Sequence, residues 1–357
     1  MAGLACRGFD GTYRTIRLSG SQGSLAASPL LVRALQAAKP RLHPKGKIPG
    51  ADVEINRRNP CAPGGLVLAL APLLLVILAS LTHATWNLFA KKAAAAGPVF
   101  VCAYNIVSCA AYAPLVAFQL SRGHSAWSWT SIEFILLSGA IHLAYSVVLQ
   151  RGYQEADLSI VYPVARGTGP MLSTIAAVVI LGETPTAGAV AGLVLVVAGI
   201  ALIATRGELS AFRRPEGHAG VRWGSGTGGL IAAYTVVDAY AVKAVGVAPV
   251  VLDWCSNLLR FVALAPVALF NPAATLDCYR RYWREALVVG LLSPLGYILI
   301  LAALSSGAPL SKVAPMREMS MMVGTLLGMA FLGEKVGRLR LAGCAVLIAG
   351  VVLLSSS

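Results

Sequence analysis

From Leu66 onward the sequence is a succession of apolar stretches separated by short polar breaks. An α-helix rises about 1.5 Å per residue, so about 20 apolar residues match the roughly 30 Å hydrocarbon layer of a bilayer. Ten stretches meet that length: 66–90, 98–120, 131–150, 157–181, 185–205, 226–245, 249–270, 285–304, 308–332 and 337–355. They are continuous rather than alternating, which predicts spanning helices and not the strands of an outer-membrane barrel. Composition agrees: 57% of the 357 residues are hydrophobic and 12% are charged. A soluble domain carries about 25% charged residues, and so few charges cannot screen so much apolar surface. The expected class is an all-α polytopic membrane protein.

The net charge of +14 divides evenly between two unlike regions. Residues 1–65 hold ten basic and three acidic residues, and the remaining 19 basic and 12 acidic residues belong to the apolar body. The 1–65 segment is rich in Gly, Ser and Pro and has no apolar period, so it reads as a disordered basic tail. A transit peptide and a start codon assigned too early are both open for it. Its sparse bases lack interleaved aromatics, which argues against nucleic acid. The seven cysteines form no CxxC pair and several lie inside spans, so neither a metal site nor a disulfide framework is expected, and no cofactor is called for.

A constant offset of 151 residues superposes one half on the other. Arg166 falls on Arg317, Met171 on Met322, Thr174 on Thr325, and Leu181-Gly182-Glu183 on Leu332-Gly333-Glu334. Ala191-Gly192 falls on Ala342-Gly343, Ala198-Gly199 on Ala349-Gly350, Asn87 on Asp238 and Lys92 on Lys243. The domains read as residues 66–206 and 226–355, two five-helix repeats joined by a linker at 207–225. Five is odd, so the second repeat enters the membrane inverted, giving ten transmembrane helices as an inverted 5+5 repeat. Inverted repeats of this kind build secondary transporters, with the substrate at mid-membrane between the halves.

Charges at mid-membrane cost about 2.5–3.5 kcal/mol each on insertion scales and mark functional candidates. Arg166 and Arg317 lie near the middle of spans four and nine, each shortly after a proline, Pro163 and Pro315. Their guanidinium forks suit a carboxylate or phosphonate; the alternative is that Arg317 pairs with Glu318 or Asp238 as structural glue. His83 and Asn87 share one face of span one, and the repeat sets Tyr234 and Asp238 at the matching places. Asp238 and His83 are the candidates for proton coupling. Trp86, Tyr145, His142 and Tyr162 extend the candidate substrate-binding set. Arg260, with Asn257 and Asp253, reads as structural. Glu183 and Glu334 are expected to cap spans five and ten.

The ten-span layout, the duplicated five-helix unit, the Leu-Gly-Glu closing spans four and nine and the Ala-Gly-rich final span of each half resemble the EamA type of the drug/metabolite transporter superfamily. That resemblance covers residues 66–355 and implies a multi-pass permease, often an exporter of amino acids or other small metabolites. His83-Ala84-Thr85-Trp86-Asn87 resembles a subgroup found alongside phosphonate-utilisation genes. Arg166 and Arg317 depart from the usual pattern. The expectation is a secondary carrier of a small anionic or zwitterionic metabolite in a bacterial inner (plasma) membrane. Both termini are then cytoplasmic, which the basic tail favours and the bases of the inner loops oppose. The small-molecule substrate and the bilayer are its expected partners, and homodimerisation is left open. A non-transporting receptor or assembly subunit is the alternative. An enzyme is not expected, because HExxH, GxSxG and P-loop motifs are absent from the sequence, leaving no catalytic or metal-ligating set.

Overall fold

A computed structural model describes residues 6–7, 13–14, 68–93, 96–123, 128–156, 158–205, 215–332 and 337–357. The chain divides into two units, Met1–Ala62 and Pro63–Ser357. In the first, β1 (Cys6–Arg7) and β2 (Tyr13–Arg14) pair antiparallel, with Cys6 opposite Arg14. The expected disorder of the rest of the tail lies outside the described residues.

The second unit is helical: α1 (Leu70–Lys92), α2 (Gly97–Ser121), α3 (Trp129–Glu155), α4 (Leu158–Leu181), α5 (Ala187–Thr205), α6 (Pro215–Tyr240), α7 (Pro249–Leu269), α8 (Pro272–Ser305), α9 (Leu310–Met316), α10 (Met319–Leu332) and α11 (Arg338–Ser356). Among the described residues nine helices are long and apolar enough to cross a membrane. The tenth span is α9 and α10 together, interrupted at Arg317–Glu318. The protein is therefore a ten-helix membrane protein. Its outer aliphatic side chains have no protein neighbour to bury them; Val179 and Leu269 are each 76% exposed. Several hydroxyls within the spans bond back to their own helix, as Ser173 Oγ does to the Gly169 carbonyl at 2.8 Å, which spares them an unpaired donor in an apolar surround.

The packing repeats as the sequence does. Helix α4 packs on α6 as α10 packs on α1, α3 packs on α6 as α8 packs on α1, and α2–α7 and α5–α11 pair with their own counterparts. The α5–α11 crossing shows the direction of the two copies. A Cβ built at Gly192 would lie 2.9 Å from the Gly350 carbonyl oxygen, and one at Gly199 would lie 2.9 Å from that of Gly343. The order is reversed, so the helices run antiparallel. The offset of 151 carries Gly192 to Gly343 and Gly199 to Gly350, so the contact maps onto itself. The repeats are related by inversion in the membrane, and glycine allows the backbones their van der Waals approach.

Three expectations need correction. Residues 215–225, read as linker, are the first turns of α6, because Gly220 and Gly224 lie flat against Ile160 and Val164 of α4. Helix α8 begins at Pro272 rather than 285 and bends at Tyr282 (φ −122°, ψ 21°), so its first turns carry Arg280 and Arg281. The cap of α5 is Thr186, whose Oγ1 accepts the Ala189 N–H at 3.1 Å, and not Glu183. Gly182 (φ 70°) ends α4, and the Glu183 N–H closes the turn on the Ala177 carbonyl at 3.1 Å. The Glu183 carboxylate then reaches α9, accepting the N–H groups of Leu310 (2.7 Å) and Ser311 (2.8 Å), with Lys243 Nζ at 3.3 Å. Glu334, the expected cap of span ten, lies outside the described residues.

Candidate functional site

The break between α9 and α10 starts from Pro315, which has no N–H to bond into the preceding turn. The Glu318 N–H reaches back to the Pro315 carbonyl (3.1 Å) and the Ser320 N–H to that of Arg317 (3.2 Å), a three-residue spacing that tightens the chain locally. This turn points two charged side chains inward. Glu318 has no exposure and Arg317 is 5% exposed. The sequence expectation set Arg317 mid-helix; it stands instead at the helix break, and Ser80 Oγ donates to its carbonyl at 3.4 Å.

Helix α4 runs unbroken through Pro163 and Pro170 and brings Arg166 to the same point. Arg166 Nη1 donates to Glu318 Oε2 at 3.1 Å, its Nη2 lies 3.0 Å from His83 Nε2, and its guanidinium covers the Tyr162 ring at 5.4 Å. A guanidinium only donates, so His83 Nε2 accepts and carries no proton in this arrangement. Trp86 meets the His83 ring edge-on at 4.8 Å, and its Nε1 is buried without a partner. Asn87 Nδ2 donates to the His83 carbonyl at 2.8 Å, spending one donor on its own helix.

Arg317 shares the same carboxylate from farther away, with Nε 3.6 Å from Glu318 Oε1. That Nε is buried and makes no hydrogen bond with any described residue. Two guanidinium groups thus face one carboxylate.

Beside this triad lies a second group. Tyr297 of α8 donates to Asp238 Oδ2, and His142 Nε2 stands 3.9 Å from the same oxygen. His142 Nδ1 must donate, because its partner at 2.9 Å is the Ser138 carbonyl. Tyr234 stacks on His142 at 4.1 Å and meets Tyr145 edge-on at 5.6 Å. Asp238 Oδ1 is buried without a hydrogen-bond partner. Arg317 lies within electrostatic reach of His83, His142, Tyr145, Asp238 and Tyr297, so the two groups form one polar centre. On α7, Asn257 links Asp253 (2.8 Å) to Arg260 (2.6 Å), and Ser256 Oγ meets Ser138 Oγ at 3.1 Å.

The centre thus presents an unpaired guanidinium Nε–H on Arg317 and, beside it, a carboxylate, Asp238, bonded to Tyr297 with His142 3.9 Å away. Among the described residues no group of three His, Cys, Asp or Glu is placed to hold a metal ion.

The sequence matches the EamA-like transporter family over residues 70–205 and again over 219–356, one match per repeat. The chain belongs to that family. This EamA-like transporter is 30% identical over 132 residues to a Sinorhizobium protein described as an uncharacterized transporter in the cobO 3′ region, covering 35% of this chain and 92% of that one. A crystal structure titled only as that of a protein superposes with a TM-score of 0.64 at 16% identity, covering 79% of this chain and 96% of that one, which shows the shared fold. The EamA-like transporter is thus an integral membrane transporter built from two inverted repeats. The ten residues expected from the sequence to bind substrate or couple protons lie in or beside the centre described above, whereas Glu183 lies at the start of α9. The partners that sequence reasoning missed are Tyr297 and Ser138, which carry no charge and have no repeat counterpart of the same type. Glu318 was weighed only as a partner for Arg317; its adjacency to that arginine hid its shorter bond to Arg166.

Proposed function

We propose that this transporter is a secondary carrier of a small anionic or zwitterionic metabolite, such as an amino acid, organic acid or phosphonate, moved in exchange for or together with protons. The observation that carries the reading is Arg317. A buried guanidinium normally has its donors satisfied, because an unpaired one costs several kcal/mol. Arg317 keeps its Nε free and touches its carboxylate at only 3.6 Å. An incoming carboxylate or phosphonate supplies the missing acceptor bidentately. Trp86 Nε1 is a second spare donor, and Asp238 Oδ1 is a spare acceptor that suits the ammonium group of a zwitterion. Asp238, with Tyr297 and His142, handles the proton, while His83 holds Arg166 in line. The reading includes a bacterial inner membrane with both termini in the cytoplasm.

The test is uptake into sealed proteoliposomes from a panel of L-alanine, L-aspartate, succinate and methylphosphonate. At least one anionic or zwitterionic member is accumulated, and Arg317→Ala, inserted normally, weakens its binding by about thirtyfold or more, equivalent to about 2 kcal/mol. Unchanged transport in that variant removes the anion site. Binding without movement across the bilayer favours a receptor instead.

A further inference from the structure

Glu318 has a use that the repeat does not account for. The offset of 151 pairs Arg317 with Arg166 but pairs Glu318 with Gly167, so the second half alone supplies a carboxylate. That carboxylate is fully buried and sits between the two guanidinium groups, 3.1 Å from Arg166 and 3.6 Å from Arg317. On the anion-carrier reading, it occupies the position that the acid group of a substrate would take. It also stands at a two-residue break in its span rather than in a rigid helix, so a change in a few backbone angles can swing it away.

We infer that Glu318 is an exchangeable counter-ion: the substrate anion displaces its carboxylate from Arg166 and Arg317, and Glu318 takes up one proton as it leaves. This rests on the anion-carrier reading above. The balance is simple. Before exchange the triad holds two cations and one carboxylate. Afterwards it holds two cations, one substrate anion and a neutral carboxyl. Its net charge is unchanged, which matters because an extra unpaired charge is expensive inside the bilayer. The proton comes from the water on the side from which substrate enters, and it returns when Glu318 reclaims the arginines.

The groups around Glu318 fit that role. Helix α4 presents Arg166 and Tyr162, α1 presents His83, and Arg317 is its neighbour in the chain. Tyr145, Tyr234, Tyr297 and Asp238 surround the arginines from α3, α6 and α8. Helix α5 carries no titratable residue, and those of α11, Arg338, Arg340 and Cys344, lie toward its first turns. No second acid touches the guanidinium pair among the described residues, so the proton taken up when the anion displaces this carboxylate is assigned to Glu318, and Asp238 is left to the proton that drives net movement across the bilayer.

The experiment is calorimetric binding of L-alanine, L-aspartate, succinate and methylphosphonate to purified wild type, in two buffers of different ionisation enthalpy, between about pH 5 and pH 8, with Kd and proton uptake corrected for the ionisation of succinate and methylphosphonate themselves in that range. Wild type takes up one proton per anion bound, and its Kd rises toward about tenfold per pH unit at the alkaline end. Glu318→Gln binds the same anion without proton uptake and with a Kd that no longer changes with pH. Glu318→Asp restores the coupling and guards against a variant that fails to fold. Wild-type binding without proton uptake overturns the counter-ion role and leaves the anion site standing, as does coupling that survives in Glu318→Gln. If no anion binds wild type at any pH, the anion-carrier reading itself fails.

Discussion

At the scale of single residues, the centre is organised by a shortage of acceptors. Arg166 spends its donors on Glu318 and His83, while Arg317 is left with a distant share of the same carboxylate. Asp238 is the mirror case, with one oxygen held by Tyr297 and the other unpaired. Asp238→Asn keeps the shape of that side chain and removes its charge and its proton. The expected result is a variant that still exchanges labelled for unlabelled substrate across the bilayer. Its uptake driven by a proton gradient falls on the order of tenfold, the effect of about 1.4 kcal/mol on a rate-limiting step. Counterflow and gradient-driven uptake in the same proteoliposomes separate the two.

At the scale of elements, the Leu-Gly-Glu turn after α4 shows how a local signal acquires a distant role. Its glycine and its backbone N–H end the helix, but the carboxylate caps α9 in the other repeat. Burial alone would raise the Glu183 carboxyl, yet the Ser311 and Leu310 N–H groups and the Lys243 ammonium hold it below the usual carboxylate range. A group lowered in the folded state binds its proton more readily when unfolded. Its stabilisation is therefore present above the unfolded carboxylate range and fades as the pH falls through the lower folded value. Glu183→Gln costs about 1 kcal/mol at neutral pH, a typical cap, and flattens the acid side of the stability profile. Thermal aggregation in detergent at several pH values measures both effects. Which helix end Glu183 would find was not legible, because the α4–α5 turn and the α9 N-terminus are more than a hundred residues apart.

At the scale of the whole molecule, inversion is what distinguishes this architecture from a simple duplication. The built Cβ at Gly188 lies 2.8 Å from that of Ser357, because α5 starts where α11 ends. In a chain with its native cysteines replaced by alanine, Gly188→Cys with Ser357→Cys cross-links on mild oxidation, after the small backbone adjustment that a disulfide's Cβ spacing of about 3.8 Å requires. Gly188→Cys with Gly337→Cys does not, since the far end of α11 is about 28 Å away at 1.5 Å per residue. Parallel repeats would reverse the two outcomes on non-reducing gels.

The sequence by itself determined the spans, the repeat and the residue types at the centre. Lipid offers no hydrogen bonds, so the crossing segments are apolar helices whose length and composition are written locally, and the break at Arg317–Glu318 is buried within protein. The sequence also set the relation between the halves, because an odd count of helices leaves the second copy no other way to enter. The tertiary structure alone decided which charges meet. Arg166 and Glu318 are 152 positions apart, and their contact depends on α4 passing the break between α9 and α10. An ion pair reports distance in space, and a linear pattern records only distance along the chain.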